Sequence, residues 1–175
     1  MENNNIIYTD EYLSSHDVDW FCMIDGFPIH AASNGGNLPE IIKNNRLNSV
    51  EKQDYAYSLE QVFDIKDIEI NNSYLDYLFH DTEKYKPYEL IEMRSNYLRT
   101  FVDMARRGFY SFDRCNYEEF EDDRYVLVAW PRKADEKQYN DILDNLRGIE
   151  LAYSCCHCKD YHYQIRINSM DKIIE

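Results

Sequence analysis

The segment SCCHCKDYH, Ser154 to His162, gathers three of the chain's five cysteines and two of its five histidines. Thiolates and imidazoles are the donors zinc prefers, and Cys155 with Cys158 has the C-x-x-C spacing of a zinc knuckle. His162 would be a third ligand, and Cys115 or Cys22 a remote fourth. A zinc domain usually shows two such half-sites in series, and this sequence offers one. A reactive thiol needs a nearby cation to lower its pKa, and Lys159 and Arg114 are the candidates. Free cysteine also packs as a small hydrophobe. The cluster is therefore read as the tip of a hairpin, with no cofactor expected and a small zinc-stabilised domain as the alternative.

A second candidate centres on His30, which precedes a polar, glycine-rich turn containing Ser33 and Asn34. The run HAASNGGNLPEIIKNN, His30 to Asn45, resembles the first motif of ADP-ribosyltransferases of the diphtheria-toxin or DNA-modifying kind. In those families a strand histidine binds the nicotinamide nucleotide, with a polar residue soon after and a short helix behind. The resemblance implies an NAD-linked enzyme with His30, Ser33 and Asn34 at its site. It spans this run alone, and the family's later aromatic motif and catalytic glutamate have no counterpart placed in the sequence. The plainer reading is a surface histidine on an edge strand beside Phe21. The phosphate-cradling, zinc-protease and nucleophile-elbow motifs are absent, which favours binding over catalysis.

The elements that position these residues follow from local pattern. In VDWFCMIDGFPIHAA, Asp25-Gly26 suits a two-residue hairpin turn that sets Ile24 against Phe27, Cys22 against Ile29 and Trp20 against Ala31. Pro28 assigns its strand to an edge. Asn37 is expected to cap a short helix with Pro39 in its first turn. A longer helix after Ser49 would bury Tyr55, Leu59, Val62 and Phe63, and a short one spans about Tyr74 to Phe79. The strongest periodicity predicts a helix from about Pro87 to Arg107, with Leu90, Met93, Tyr97, Phe101 and Met104 on one stripe and Gly108 as its stop. GFYSFDR and RYVLVAWP read as an antiparallel pair. Asp135 and Gln138 suit the start of a helix ended by Gly148, and IELAYSCCH with HYQIRIN closes the chain as a last hairpin. The expected fold over residues 1–175 is one α+β domain. Its antiparallel sheet is built from N-terminal, central and C-terminal hairpins around a helical middle.

Composition bounds the function. The chain is 44% hydrophobic and holds 16 Tyr and 8 Phe, which excludes a disordered polymer. No run approaches the length of a membrane span, no leader pattern is evident, and the odd cysteine count suits reduced thiols, so a soluble cytoplasmic protein is expected. The net charge is −14. Such a field repels nucleic acid unless Arg106-Arg107 or Arg132-Lys133 forms a local patch, so direct nucleic-acid binding is not expected. Abundant acid and tyrosine suit a surface that meets a basic protein. The best local segment is Tyr117, Glu118, Glu119, Phe120, Glu121, Asp122 and Asp123. The expected role is binding another macromolecule, as an inhibitor or immunity protein or as a nucleic-acid mimic.

Overall fold

The computed structural model describes residues 6–24, 27–80, 84–115, 120, 124–132 and 164–166. The elements run α1 (Asp10–Leu13), β1 (Asp19–Ile24), β2 (Phe27–Ala32), α2 (Glu40–Lys43), α3 (Arg46–Ser58), β3 (Ile68–Ile70), α4 (Asn72–Leu78), α5 (Pro87–Arg106), β4 (Tyr110–Arg114), β5 (Arg124–Pro131) and β6 (Gln164–Arg166). The fold is α+β, and among the described residues no helix is long and apolar enough to cross a membrane.

The strands lie in the order β1-β2-β4-β5-β3, with β6 also pairing β5. β1 and β2 are antiparallel, with Ile24 opposite Phe27, Cys22 opposite Ile29 and Trp20 opposite Ala31. β4 and β5 are antiparallel, with a register shift between Ser111 and Phe112. The expected all-antiparallel sheet is corrected by β2 and β4, which run parallel. β2 is thus an interior strand, not an edge. Pro28 is tolerated there because the ladder to β4 begins one residue later, at Ile29, so its missing N–H interrupts nothing on that side.

Both faces of the sheet are covered. On one, Trp20, Cys22, Ile29, Ala31, Phe112 and Leu127 pack with Leu13, Leu38 and Ile42 from the α1–α2 region. On the other, Phe21, Ala32 and Val128 pack beneath Phe101, Met104 and Ala105 of α5. This double coverage explains why β5 reads as an unbroken apolar run.

α5 matches its predicted span to within a residue and stops before Gly108, whose φ of 102° continues the chain in a conformation favouring glycine. α3 differs from expectation. It ends at Ser58, its buried residues are Ser49 and Ala56, and Tyr55 and Val62 are exposed. Phe63 is buried, but beyond the helix, where its N–H bonds the carbonyl of Arg106 at 3.0 Å. Pro39, not Asn37, takes the cap position of α2, while Asn37 Oδ1 accepts from the N–H of Leu38. The helix expected between Asp135 and Gly148 and the turn of the C-terminal hairpin lie outside the described residues. From that region, β6 pairs antiparallel with Arg124–Val126 of β5.

Candidate functional site

The strand register builds a polar site under an otherwise apolar helix. Asp19 of β1 pairs with Ala32 of β2, which pairs with Asp113 of β4, so two aspartates flank one alanine along a row crossing three strands. The adjoining row is Phe21, His30 and Ser111. Because side chains alternate, residues 19 and 21, 30 and 32, and 111 and 113 share the face that α5 covers. A methyl group at Ala32 leaves room between the carboxylates. Asp17, Asp19, Asp113, Asn34, Tyr97 and Phe101 line the resulting pocket of about 290 Å³.

Each acid has a distinct environment. Asp17 Oδ1 accepts from the Asn34 N–H at 2.6 Å, tying the start of β1 to the turn after β2. Burial pushes its carboxyl above the ordinary value, with the Asp19 charge adding to the shift. Asp113 accepts from the Tyr97 hydroxyl at 2.7 Å and from the Arg114 N–H at 2.9 Å. Burial dominates there nonetheless, and its pKa is pushed up to about 7. Burial also acts on Asp19, but the His30 imidazole and the Tyr57 hydroxyl outweigh it and hold this carboxyl below the ordinary value. Tyr57 donates to Asp19 Oδ2 at 2.5 Å, and the same carboxylate, with burial, raises the phenol's own pKa. One pocket therefore contains acids driven in opposite directions by their surroundings.

Behind the pocket, His30 Nδ1 lies 2.6 Å from Ser111 Oγ, and its Nε2 lies 3.2 Å from Asp19 Oδ1, at ion-pair distance but without hydrogen-bond alignment. Ser, His and Asp in sequence suggest a nucleophilic triad, but the accessibility is reversed. Ser111 and His30 are fully buried, and the carboxylate is the end that reaches the pocket. The array therefore braces Asp19 and presents no hydroxyl to a substrate.

The residues singled out from sequence fall in different places. His30 is not a surface residue but sits fully buried, its ring 5.3 Å from Phe21 and 6.1 Å from Phe101. Ser33 is also buried, its hydroxyl accepting from the Val18 N–H at 2.8 Å. Asn34 is exposed and lines the pocket. Of the acidic segment Tyr117 to Asp123, only Phe120 is described. It packs against the Trp20 side of the sheet, and its carbonyl accepts from the Asn37 N–H at 3.3 Å. Cys155, Cys158 and His162 lie outside the described residues. Cys22, a proposed remote zinc ligand, is buried in the core, and among the described residues no three His, Cys, Asp or Glu side chains converge on a metal position. One member of each basic pair is held by a carboxylate, Arg107 by Asp103 at 2.7 Å and Arg132 by Glu69 at 2.6 Å, and Lys133 lies outside the described residues.

Asp17, Asp19, Asp113 and Tyr97 escaped the sequence reading. Two signals pointed to them. Asp17 and Asp19 are spaced by two at the head of a strand, which places them on one side. Asp113 directly follows the largely apolar run GFYSF within a strand, and a buried acid is costly enough to require a reason.

Compared with known proteins, the chain matches no family, no curated protein and no solved structure.

Proposed function

We propose that the protein acts by binding a basic macromolecule and takes a guanidinium or ammonium side chain of that partner into the pocket between Asp19 and Asp113. The observation that supports this reading is the three-carboxylate lining of the pocket, with Asp113 pushed to about 7 by burial. A cation entering there returns Coulomb stabilisation to a carboxyl that burial has deprived of solvent, and Asp113 then ionises. The net charge of −14 speeds the encounter with such a partner. The acidic segment Tyr117 to Asp123 is a further candidate surface for the same partner; of it the structure describes Phe120, whose carbonyl accepts from the Asn37 N–H. An inhibitor or immunity protein covering a basic active site would use this chemistry, as would a nucleic-acid mimic.

The test is calorimetry at pH 7 with a glycine-flanked single-arginine peptide and its neutral citrulline counterpart, followed by a panel of basic nucleases. The arginine peptide should bind, weaken with salt, and release a proton detectable as an enthalpy that depends on buffer identity. Equal binding of the citrulline peptide would remove the cation from the argument. Absence of salt-sensitive association with every basic partner would remove the function.

A further inference from the structure

A second cavity adjoins the carboxylate pocket, sharing Thr100 with it, and Tyr57 on its wall donates to Asp19. It is a groove of about 700 Å³ between α5 and the segment running into β3, within the size range of small-molecule sites. Most of its lining surface is apolar, contributed by Ile65, Ile68, Leu98 and Val102, with polar groups such as Ser95 and Thr100 among them. On α5, Leu98 and Val102 share a helical face with Ile91, which lies beyond the groove with Ser95 between. Ile91 is 70% exposed and Ile65 is 68% exposed. Apolar residues along one helix face suit a chain-like ligand.

The charge along its edge is the unusual feature. Arg99 and Arg106 both line the groove, seven residues apart and so near one line along the helix. Arg99 bonds the neutral Asn96 side chain, and Arg106 donates from Nε to the Phe63 carbonyl at 3.2 Å. Neither pairs with a carboxylate among the described residues, in a chain with 33 acids and 19 basic residues. The groove's own acid, Asp103, is paired with Arg107 at 2.7 Å. We propose that this groove binds a single-chain amphipathic carboxylate, a free fatty acid, with its acyl chain along Ile65, Ile68, Leu98 and Val102 and its head group on Arg99 and Arg106.

The probe is laurate below its micellar concentration, titrated into the intact protein by calorimetry and by methyl NMR. Binding should be saturable, with shifts concentrated on Ile65, Ile68, Leu98 and Val102. Arg99→Gln should weaken it about tenfold, the size of one lost charge-assisted hydrogen bond. Ile65→Glu, an exposed position where folding is not at stake, should abolish it. Dodecylammonium and dodecanol are the controls. The long-range field of the acidic chain favours the ammonium, so a preference for laurate can come only from local arginines. Dodecanol or dodecylammonium binding as tightly as laurate would overturn the proposal, as would shifts scattered over the core. Retention by anionic vesicles without laurate binding would identify a membrane surface in its place. The variants separate this site from the carboxylate pocket: Arg99 and Ile65 line the groove and not that pocket, although Thr100 lines both.

Discussion

Replacing Asp113 by asparagine should stabilise the protein more at pH 8 than at pH 5. Asp113 is 4% exposed, and its pKa rises from an ordinary 3.8 to about 7 because burial penalises the carboxylate. A carboxyl raised in the folded state stays protonated there while the unfolded chain has ionised. The folded form thus holds the extra proton between about pH 4 and 7, and stability falls as pH rises through that window. Across the two units from pH 5 to 7 the loss is about 2–3 kcal/mol, at 1.36 kcal/mol per unit. Asparagine has no such loss. Its one carbonyl oxygen cannot serve both Tyr97 and the Arg114 N–H, which costs about 1 kcal/mol, but protonated Asp113 has the same difficulty at pH 5. The pH-dependent difference between variant and wild type should survive that cancellation. Urea denaturation at both pH values, with m-values compared to confirm one denatured state, measures it. A gap between the two proteins that is the same at pH 5 and pH 8 would show that Asp113 ionises normally. The electrostatic case for the pocket would then fail.

Two further substitutions probe what holds the site. His30→Ala removes a fully buried ring bonded to Ser111 and should lower stability by about 2–4 kcal/mol, read as a drop in urea midpoint. An unchanged midpoint would place His30 back on the surface. At Gly36 a Cβ would fall 1.7 Å from Arg114 Nη1, so Gly36→Ala should cost about 1–3 kcal/mol by displacing that buried guanidinium. If Gly36→Ala melts like wild type, Arg114 does not occupy that position.

Much of the local structure was legible because it rests on short-range chemistry. The α5 stripe and its glycine stop, the pairing of Trp20 with Ala31, and the antiparallel approach of β4 to β5 follow from period, turn residues and capping. The failures share a cause. Tyr55, Leu59, Val62 and Phe63 satisfied a helical period, but the chain leaves the helix at Ser58 to bond Phe63 to the end of α5, a contact decided 43 residues away. Pro28 signalled an edge strand, yet the parallel partner β4 starts its ladder just past the proline.

The sequence by itself determined an acidic, aromatic-rich α+β chain, the span of α5, and the pairing of β1 with β2. These depend on residues close together in the chain. Tertiary structure decided the rest. His30 could be a surface ligand or a buried brace, and only the insertion of β2 between β1 and β4 buries it. Asp19 and Asp113 are 94 residues apart in number and carry no shared motif, and they become one site because Ala32 stands between them in register. A pocket made by strand order has no local signature, since the residues that form it acquire their chemistry from neighbours the chain reaches only on folding.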